Sequence, residues 1–186
     1  MRAFGRLFVL LAALGALAGC STQATAPLIL VPDAYRDPTF LAVPPSASAR
    51  IGESGHGAPL TGSKVIDGDN GGYLRVGRFR IDIPAGAFAG SATFTIDVPD
   101  RDRLVATVSA PGVDAFAAPV LLTVDCLDAK GEELDRVGVL GQVDARDVWL
   151  LLPNSSVDVP GELAQADLKR PSTFGVASLV QGKAGW

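Results

Sequence analysis

From about residue 63 onward, apolar and polar side chains alternate along the chain with a period of two. This alternation is typical of β-strands that bury one face and expose the other to water. Gly, Pro, Asp and Asn residues separate the segments, and only residues 85–88 and 161–165 suggest as much as a helical turn. The pattern predicts an all-β fold, an antiparallel two-sheet β-sandwich of the immunoglobulin-like type over residues 63–182. The clearest strand segments are residues 79–83, 92–98, 104–108, 120–124 and 148–152.

The first twenty residues have the layout of a secretory signal. Arg2 and Arg6 precede an uncharged apolar run at residues 7–17. This run is shorter than the roughly 18 residues of a membrane-spanning helix. Leu17-Ala18-Gly19-Cys20 resembles the lipobox of bacterial lipoproteins. The resemblance implies that residues 1–19 are removed as a signal peptide. It also implies that Cys20 becomes the N-terminus and carries a diacylglycerol thioether and an amide-linked acyl chain such as palmitate.

This interpretation places the protein on a membrane. Three acyl chains bind a bilayer stably, because two anchoring signals already suffice. In lipoproteins of double-membraned bacteria an Asp after the lipidated cysteine favours the inner membrane, and Ser21 stands there instead. We therefore expect a lipid-anchored cell-envelope protein, with the outer membrane favoured. The alternative is an ordinary signal peptide cut after Ala18, which leaves a soluble secreted protein.

Residues 20–62 are predicted to form a lipidated N-terminus followed by a tether rich in Pro, Gly and Ser. Their six prolines prevent any long regular element. Two apolar pieces, residues 28–31 and 40–41, leave open whether part of this segment docks on the domain. The chain's one histidine, His56, lies among glycines here and is expected to be a solvated loop residue rather than a catalytic group.

Composition and charge exclude several classes of protein. The 186 residues are enough for one domain. Sixteen Lys and Arg against twenty Asp and Glu give a formal charge of −4, which argues against a nucleic-acid partner. One His and two Cys are too few for a structural zinc site or a disulfide scaffold. Cys126 is in phase with Val120, Leu122 and Val124, so we expect a buried structural thiol rather than a reactive one.

An oxygen-rich loop invites a calcium hypothesis. Asp67, Asp69 and Asn70 offer the carboxylate and carbonyl oxygens that calcium prefers. The EF-hand pattern fails, because Arg78 stands where that pattern needs a bidentate Glu. A plain hairpin turn is therefore the preferred interpretation, and a calcium site is the alternative.

Other candidate chemistry is sparse. Glu132, Glu133 and Asp135 follow Gly131 in an apparent loop, where a solvated charge cluster is preferred over a glycosidase pair. No Gly-x-Ser-x-Gly elbow is present for nucleophilic catalysis. Three arginines, at positions 75, 78 and 80, are expected on one outer strand face; a plain solvated face is the preferred interpretation, and contact with an acidic ligand is the alternative.

Residues 69–125 also carry a resemblance. Residues 71–74 and 79–88 resemble the glycine pair, strand and "I-P-x-G-A" turn of the β-sandwich module shared by ankyrins, netrin receptors and zonula occludens proteins. Residues 111–122 are similar to that module's "G-x-x-F-x-x-P-V" entry into a core strand. The resemblance implies a non-enzymatic interaction module. Some relatives self-cleave at a terminal His-Phe-Ser segment, but residues 170–174 lack the histidine, so autoproteolysis is not carried over.

Together these features predict a lipid-anchored envelope protein, not an enzyme, whose β-sandwich binds or supports another envelope component. Its contacts would be the membrane, through acyl chains on Cys20, and an envelope protein or polymer, with no cofactor and no metal. One alternative is a cell-surface hydrolase or ligand-sensing enzyme, which would need convergent titratable residues. A second is a calcium-stabilised adhesion module.

Overall fold

In the part of the chain that the structure describes, the fold consists of twelve short strands and one turn of 3-10 helix, Leu134–Arg136. A computed structural model describes residues 34–44, 57–129, 134–143 and 147–180. The predicted signal peptide, Cys20 and His56 lie outside the described residues. Among the described residues, no helix is long and apolar enough to cross a membrane. The strands are β1 Ala34–Arg36, β2 Leu60–Asp67, β3 Gly72–Val76, β4 Phe79–Ile83, β5 Ser91–Val98, β6 Val105–Ser109, β7 Val120–Asp125, β8 Val137–Val143, β9 Val148–Leu151, β10 Ser156–Asp158, β11 Leu163–Leu168 and β12 Thr173–Ser178.

The strands form two antiparallel sheets. The larger sheet has the order β1-β9-β8-β12-β6-β5-β2, and the smaller has the order β10-β11-β7-β4-β3. Alternate residues of β5 are buried between the sheets, and the intervening residues face away from the core. The predicted all-β, two-sheet antiparallel sandwich is therefore confirmed. One local prediction is wrong: most of residues 161–165 form the start of β11 rather than a helical turn, because Ala164, Ala166 and Leu168 alternate into the core.

The main core lies between the two sheets and is aliphatic and aromatic. Phe79 on β4 of the smaller sheet meets Phe174 on β12 of the larger, with ring centroids 5.9 Å apart in an edge arrangement. Leu122 on β7 is fully buried in the same core. Edge-to-face aromatic pairs add to the free energy gained from burial alone. These contacts join the sheets without a disulfide, since the described cysteine, Cys126, is free.

Residues 34–44, which the sequence placed in the tether, pack on the sandwich. β1 pairs with β9 at the edge of the larger sheet. Further along, the Leu41 N–H donates to the Val176 carbonyl at 2.9 Å, and the Leu104 N–H donates to the Leu41 carbonyl at 3.1 Å. This segment therefore lies between β12 and the residues that precede β6. Leu41 and Val43 enter the main core, each with 2% of its surface exposed. Residues 28–31, the other apolar piece, lie outside the described residues.

A second, smaller core covers the outer face of the larger sheet. Phe40 packs edge-on against Trp149, with ring centroids 4.8 Å apart. Both rings lie over a strip of small residues that includes Gly175 and Ala177 on β12. A Cβ at Gly175 would come within 2.6 Å of the Phe40 ring and 2.8 Å of the Leu104 carbonyl oxygen. Glycine at this position therefore lets the N-terminal segment approach the sheet closely.

Candidate functional site

One edge strand of the smaller sheet presents an exposed aromatic ring that lies close to two cations. Tyr73 on β3 is 52% exposed. Lys64 on β2 places its Nζ 4.6 Å from the ring centroid, and Arg80 on β4 places its Cζ at 4.7 Å. Both distances lie within the range of cation–π interactions. We call the group formed by these residues, Arg75 and Asp82 the Tyr73 surface.

Lys64 reaches Tyr73 because β2 and β3 are the edge strands of the two sheets on the same side of the sandwich. In the β2–β5 register Lys64 pairs with the buried Phe94, so its side chain starts from the core-facing side of β2. Its Nζ donates a hydrogen bond to the Tyr73 carbonyl at 3.0 Å. A charged residue that points inward on an edge strand opposes edge-to-edge pairing with other chains. Lys64 thus closes the open side of the sandwich and shapes the Tyr73 surface.

The arginines of the Tyr73 surface are only partly neutralised. On β4, Arg80 donates from Nε and Nη2 to the two carboxylate oxygens of Asp82, at 2.8 and 2.6 Å. This hydrogen bond and the Asp82 charge raise the pKa of Arg80 above its ordinary value. Arg75 lies directly opposite Arg80 across the β3–β4 ladder, and its Nη2 is 3.9 Å from an Asp125 carboxylate oxygen. Three cations face two carboxylates here, which leaves the surface positive in an acidic protein.

The prediction that three arginines share one outer face is wrong for Arg78. This residue follows Gly77 in the two-residue β3–β4 hairpin loop, where Gly77 has a φ of 55°, and the loop takes Arg78 out of the strand alternation. Its Nη1 donates to the carbonyls of Asp125 and Leu127, at 3.2 and 2.8 Å. Arg78 is only 4% exposed. Arg75 and Arg80 do share an outer face, and Arg78 lies within the domain.

The predicted oxygen-rich loop is the β2–β3 turn. One carboxylate oxygen of Asp67 accepts hydrogen bonds from the N–H groups of Asp69 and Asn70, at 2.9 and 3.4 Å. The Asp67 carbonyl accepts from the Gly71 N–H at 2.8 Å. Asp residues commonly close turns in this way. Asp69 and Asn70 are exposed, and no group of three or more His, Cys, Asp or Glu side chains that could hold a metal occurs within the described ranges.

Cys126 lies in the main core, directly after β7. Its exposed fraction is 1%, which confirms the predicted burial. The thiol donates to the Val124 carbonyl at 3.7 Å. Burial raises the pKa of Cys126 from 9.0 to about 11. The thiolate, which is the reactive form, is therefore scarce near neutral pH in the folded protein.

The raised pKa of Cys126 gives a testable dependence of stability on pH. Between pH 9 and pH 11 the unfolded chain loses the thiol proton and the folded chain keeps it, so ionisation favours unfolding as the pH rises. We expect a loss of the order of 2 kcal/mol in unfolding free energy over that range, at 1.36 kcal/mol per pH unit. Urea denaturation of the wild type and Cys126→Ala at both pH values measures it. Between the two pH values, the unfolding free energy of Cys126→Ala should fall by about 2 kcal/mol less than that of the wild type. Equal losses in the two proteins would contradict the expectation.

Of the other candidate catalytic groups, only Asp135 lies among the described residues. His56, Glu132 and Glu133 lie outside the described residues. Asp135 is exposed in the 3-10 turn.

Sequence reasoning missed Lys64 and Tyr73 as surface residues. A signal for Tyr73 was present, since it and Arg75 alternate with the buried Leu74 and Val76. No local signal marks Lys64, because its contact with Tyr73 depends on how the two sheet edges meet.

The fold and this surface define a β-sandwich protein with an exposed, positively charged aromatic edge. No family model and no curated protein matches the chain.

Proposed function

We propose that the protein is a lipid-anchored component of the cell envelope whose β-sandwich is a non-catalytic module that binds another envelope protein or polymer. The observation that carries the binding role is the Tyr73 surface. Tyr and Arg, together with Trp, are enriched among the residues that dominate binding energy at protein interfaces. Here Tyr73 and Arg80 lie side by side on rigid strands rather than on a loop. Such a surface loses little conformational freedom on binding.

The anchor in this proposal rests on the lipobox-like residues 17–20. Removal of residues 1–19 takes away Arg2 and Arg6 and leaves the chain more acidic. A local positive surface on an acidic protein favours a partner with negative charge at the contact, because such complementarity steers association and excludes other partners. The resemblance of residues 69–125 to the ankyrin, netrin-receptor and zonula occludens module supports a binding role rather than catalysis. Ser21 supports a place on the outer membrane.

Site-specific photo-crosslinking in intact cells tests the binding role. A benzoyl-phenylalanine in place of Tyr73 keeps an aromatic ring on the proposed surface. The same residue in place of Val65 is the matched control, because Val65 is 67% exposed on an edge strand but lies outside the Tyr73 surface. We expect a reproducible adduct from position 73, identified by mass spectrometry, and at most a tenth of that yield from position 65. Equal yields at the two positions, or no adduct at position 73, would contradict the proposal.

A further inference from the structure

The β9 side of the larger sheet carries an apolar groove. The larger sheet has seven strands against five in the smaller one, and β10 and β11 of the smaller sheet pack against β8. The inner face of β9 therefore extends beyond the smaller sheet. Val139 on β8 lies in the main core, and Gly141 and its β9 partner Leu150 face the same side. Leu150 is only half-buried, because no strand of the smaller sheet covers it fully.

The walls of this groove are largely apolar. They include Leu150, Leu152, Pro153 and Leu168, the last residue of β11. Gly141 leaves room for Leu152, since a Cβ at position 141 would lie 2.5 Å from the Leu152 Cδ2. The groove volume is about 350 Å³, near the lower end of the roughly 300–1,000 Å³ of small-molecule sites. Contiguous apolar surface that stays open to water commonly marks a binding site.

Two cations line the groove beside these apolar walls. Lys169 and Arg170 follow β11, and both are exposed. Neither makes an ion pair or a side-chain hydrogen bond with another residue of the described ranges. The acidic residue that lines the groove, Asp167, already accepts a hydrogen bond from the Asn154 Nδ2 at 2.6 Å. A negatively charged group of a ligand would therefore meet two available cations here.

The groove adjoins a polar hollow on this basic side. Gln142, Arg170 and Ser172 line both the groove and the hollow, whose volume is about 270 Å³. Thr173 adds another hydroxyl to the hollow. Apolar walls in one part and hydrogen-bonding groups with a cation in the next match a molecule that has an apolar body and a negatively charged head group.

The backbone of the apolar wall is already hydrogen-bonded. β9 pairs with β8 on one side and with β1 on the other. Beyond β9, the Leu152 N–H donates to the Val139 carbonyl, and the Pro153 carbonyl accepts from the Asp167 N–H, both at 2.9 Å. A bound peptide would leave its own amide groups without partners against this wall, which costs free energy. An acyl chain has no such groups and gains from each methylene that leaves water.

We propose that this groove binds a fatty acid. The acyl chain lies along Leu150 and Leu152, and the carboxylate lies at Lys169 and Arg170. An arginine suits this head group because two of its N–H groups can donate to the two carboxylate oxygens at once. The site goes beyond the proposed function, since it depends neither on the lipid anchor nor on the Tyr73 surface, which lies at the opposite, β2 edge of the larger sheet.

Photo-crosslinking of the full chain in phosphatidylcholine vesicles tests the site. The two probes are dodecanoate and dodecanol, each with the same diazirine near the end of its chain and used at equal concentration. We expect the acid to label peptides with residues 147–153 or 168–172 about tenfold more than the alcohol, because the alcohol lacks the charge that the two cations attract. An excess of unlabelled dodecanoate should remove this label. Equal labelling of these peptides by the two probes, or none by the acid, would overturn the proposal.

Variants of the groove test the roles of its two parts. Arg170→Gln should lower labelling by the acid about tenfold, the effect of losing one charge-assisted hydrogen bond. Arg103→Gln is the matched control and should leave the labelling unchanged, since Arg103 is also exposed but lies outside the groove. Leu150→Asp places a negative charge on the apolar wall and should abolish the labelling. If that variant fails to fold, the comparison of the two arginine variants still decides the question, and equal yields from the wild type and Arg170→Gln would overturn the proposal.

Discussion

Replacing Cys20 by serine is expected to abolish acylation and to move the protein from the membrane fraction to the soluble fraction. A thioether to diacylglycerol needs the cysteine sulfur, which serine lacks. The lost acyl chains each contribute about 0.8 kcal/mol per buried methylene, so no weak contact of the domain replaces them. Metabolic labelling with palmitate, followed by membrane fractionation, measures both effects.

The other cysteine of the chain supplies the matched control. Cys126 is buried in the core and free of any disulfide, so Cys126→Ala should keep both the label and the membrane association. An uncut Cys20→Ser precursor that stays on the membrane through residues 7–17 is recognised by its larger mass. Acyl label that persists in Cys20→Ser, or that disappears in Cys126→Ala, would contradict the assignment.

Two adjacent leucines on β7 are expected to differ strongly in their effect on stability. Leu122 is fully buried between the sheets, whereas Leu121 faces outward and is 38% exposed. Leu122→Ala should lower the free energy of unfolding by about 2–5 kcal/mol, through lost burial and the cavity left behind. Leu121→Ala removes the same atoms from a position on the outer face that water already reaches, and should cost less than about 1 kcal/mol.

Urea denaturation of the two variants beside the wild type measures this difference. Both variants replace Leu by Ala on the same strand, so the effect of the change on intrinsic β-strand propensity cancels in the comparison. Equal losses of stability would contradict the alternation that places Leu122 inside and Leu121 outside. Inverted losses would show that β7 is shifted by one residue, because such a slip exchanges the two faces of a strand.

The alternating pattern predicted the strands that have one solvated face. β4 and β5 follow it residue by residue, as does β7, whose phase also predicted the burial of Cys126. β12 and the first five residues of β8 are buried on both faces and therefore carry no such alternation. On β12 the reason is visible in Gly175 and Ala177, over which Phe40 packs. The position of residues 39–43 between strands depends on contacts far away in sequence, which no local pattern reports.

The residues of the candidate site likewise include some that the alternating pattern placed correctly and some that it could not place. Alternation placed Arg75 and Arg80 correctly on an outer face, since both lie within regular strands. It failed for Arg78, because the hairpin loop that begins with Gly77 turns the next side chain into the domain. The contact of Lys64 with Tyr73 joins the edges of two different sheets and could follow only from the assembled sandwich.

The central claim is that the mature chain begins at a lipidated Cys20. Mass spectrometry of the N-terminal peptide of protein extracted from membranes tests it most directly. We predict a peptide that starts at Cys20 and carries a diacylglycerol group together with an amide-linked acyl chain. A peptide that starts at Gly19, with an unmodified cysteine after it, would contradict the claim and would indicate an ordinary signal peptide cut after Ala18.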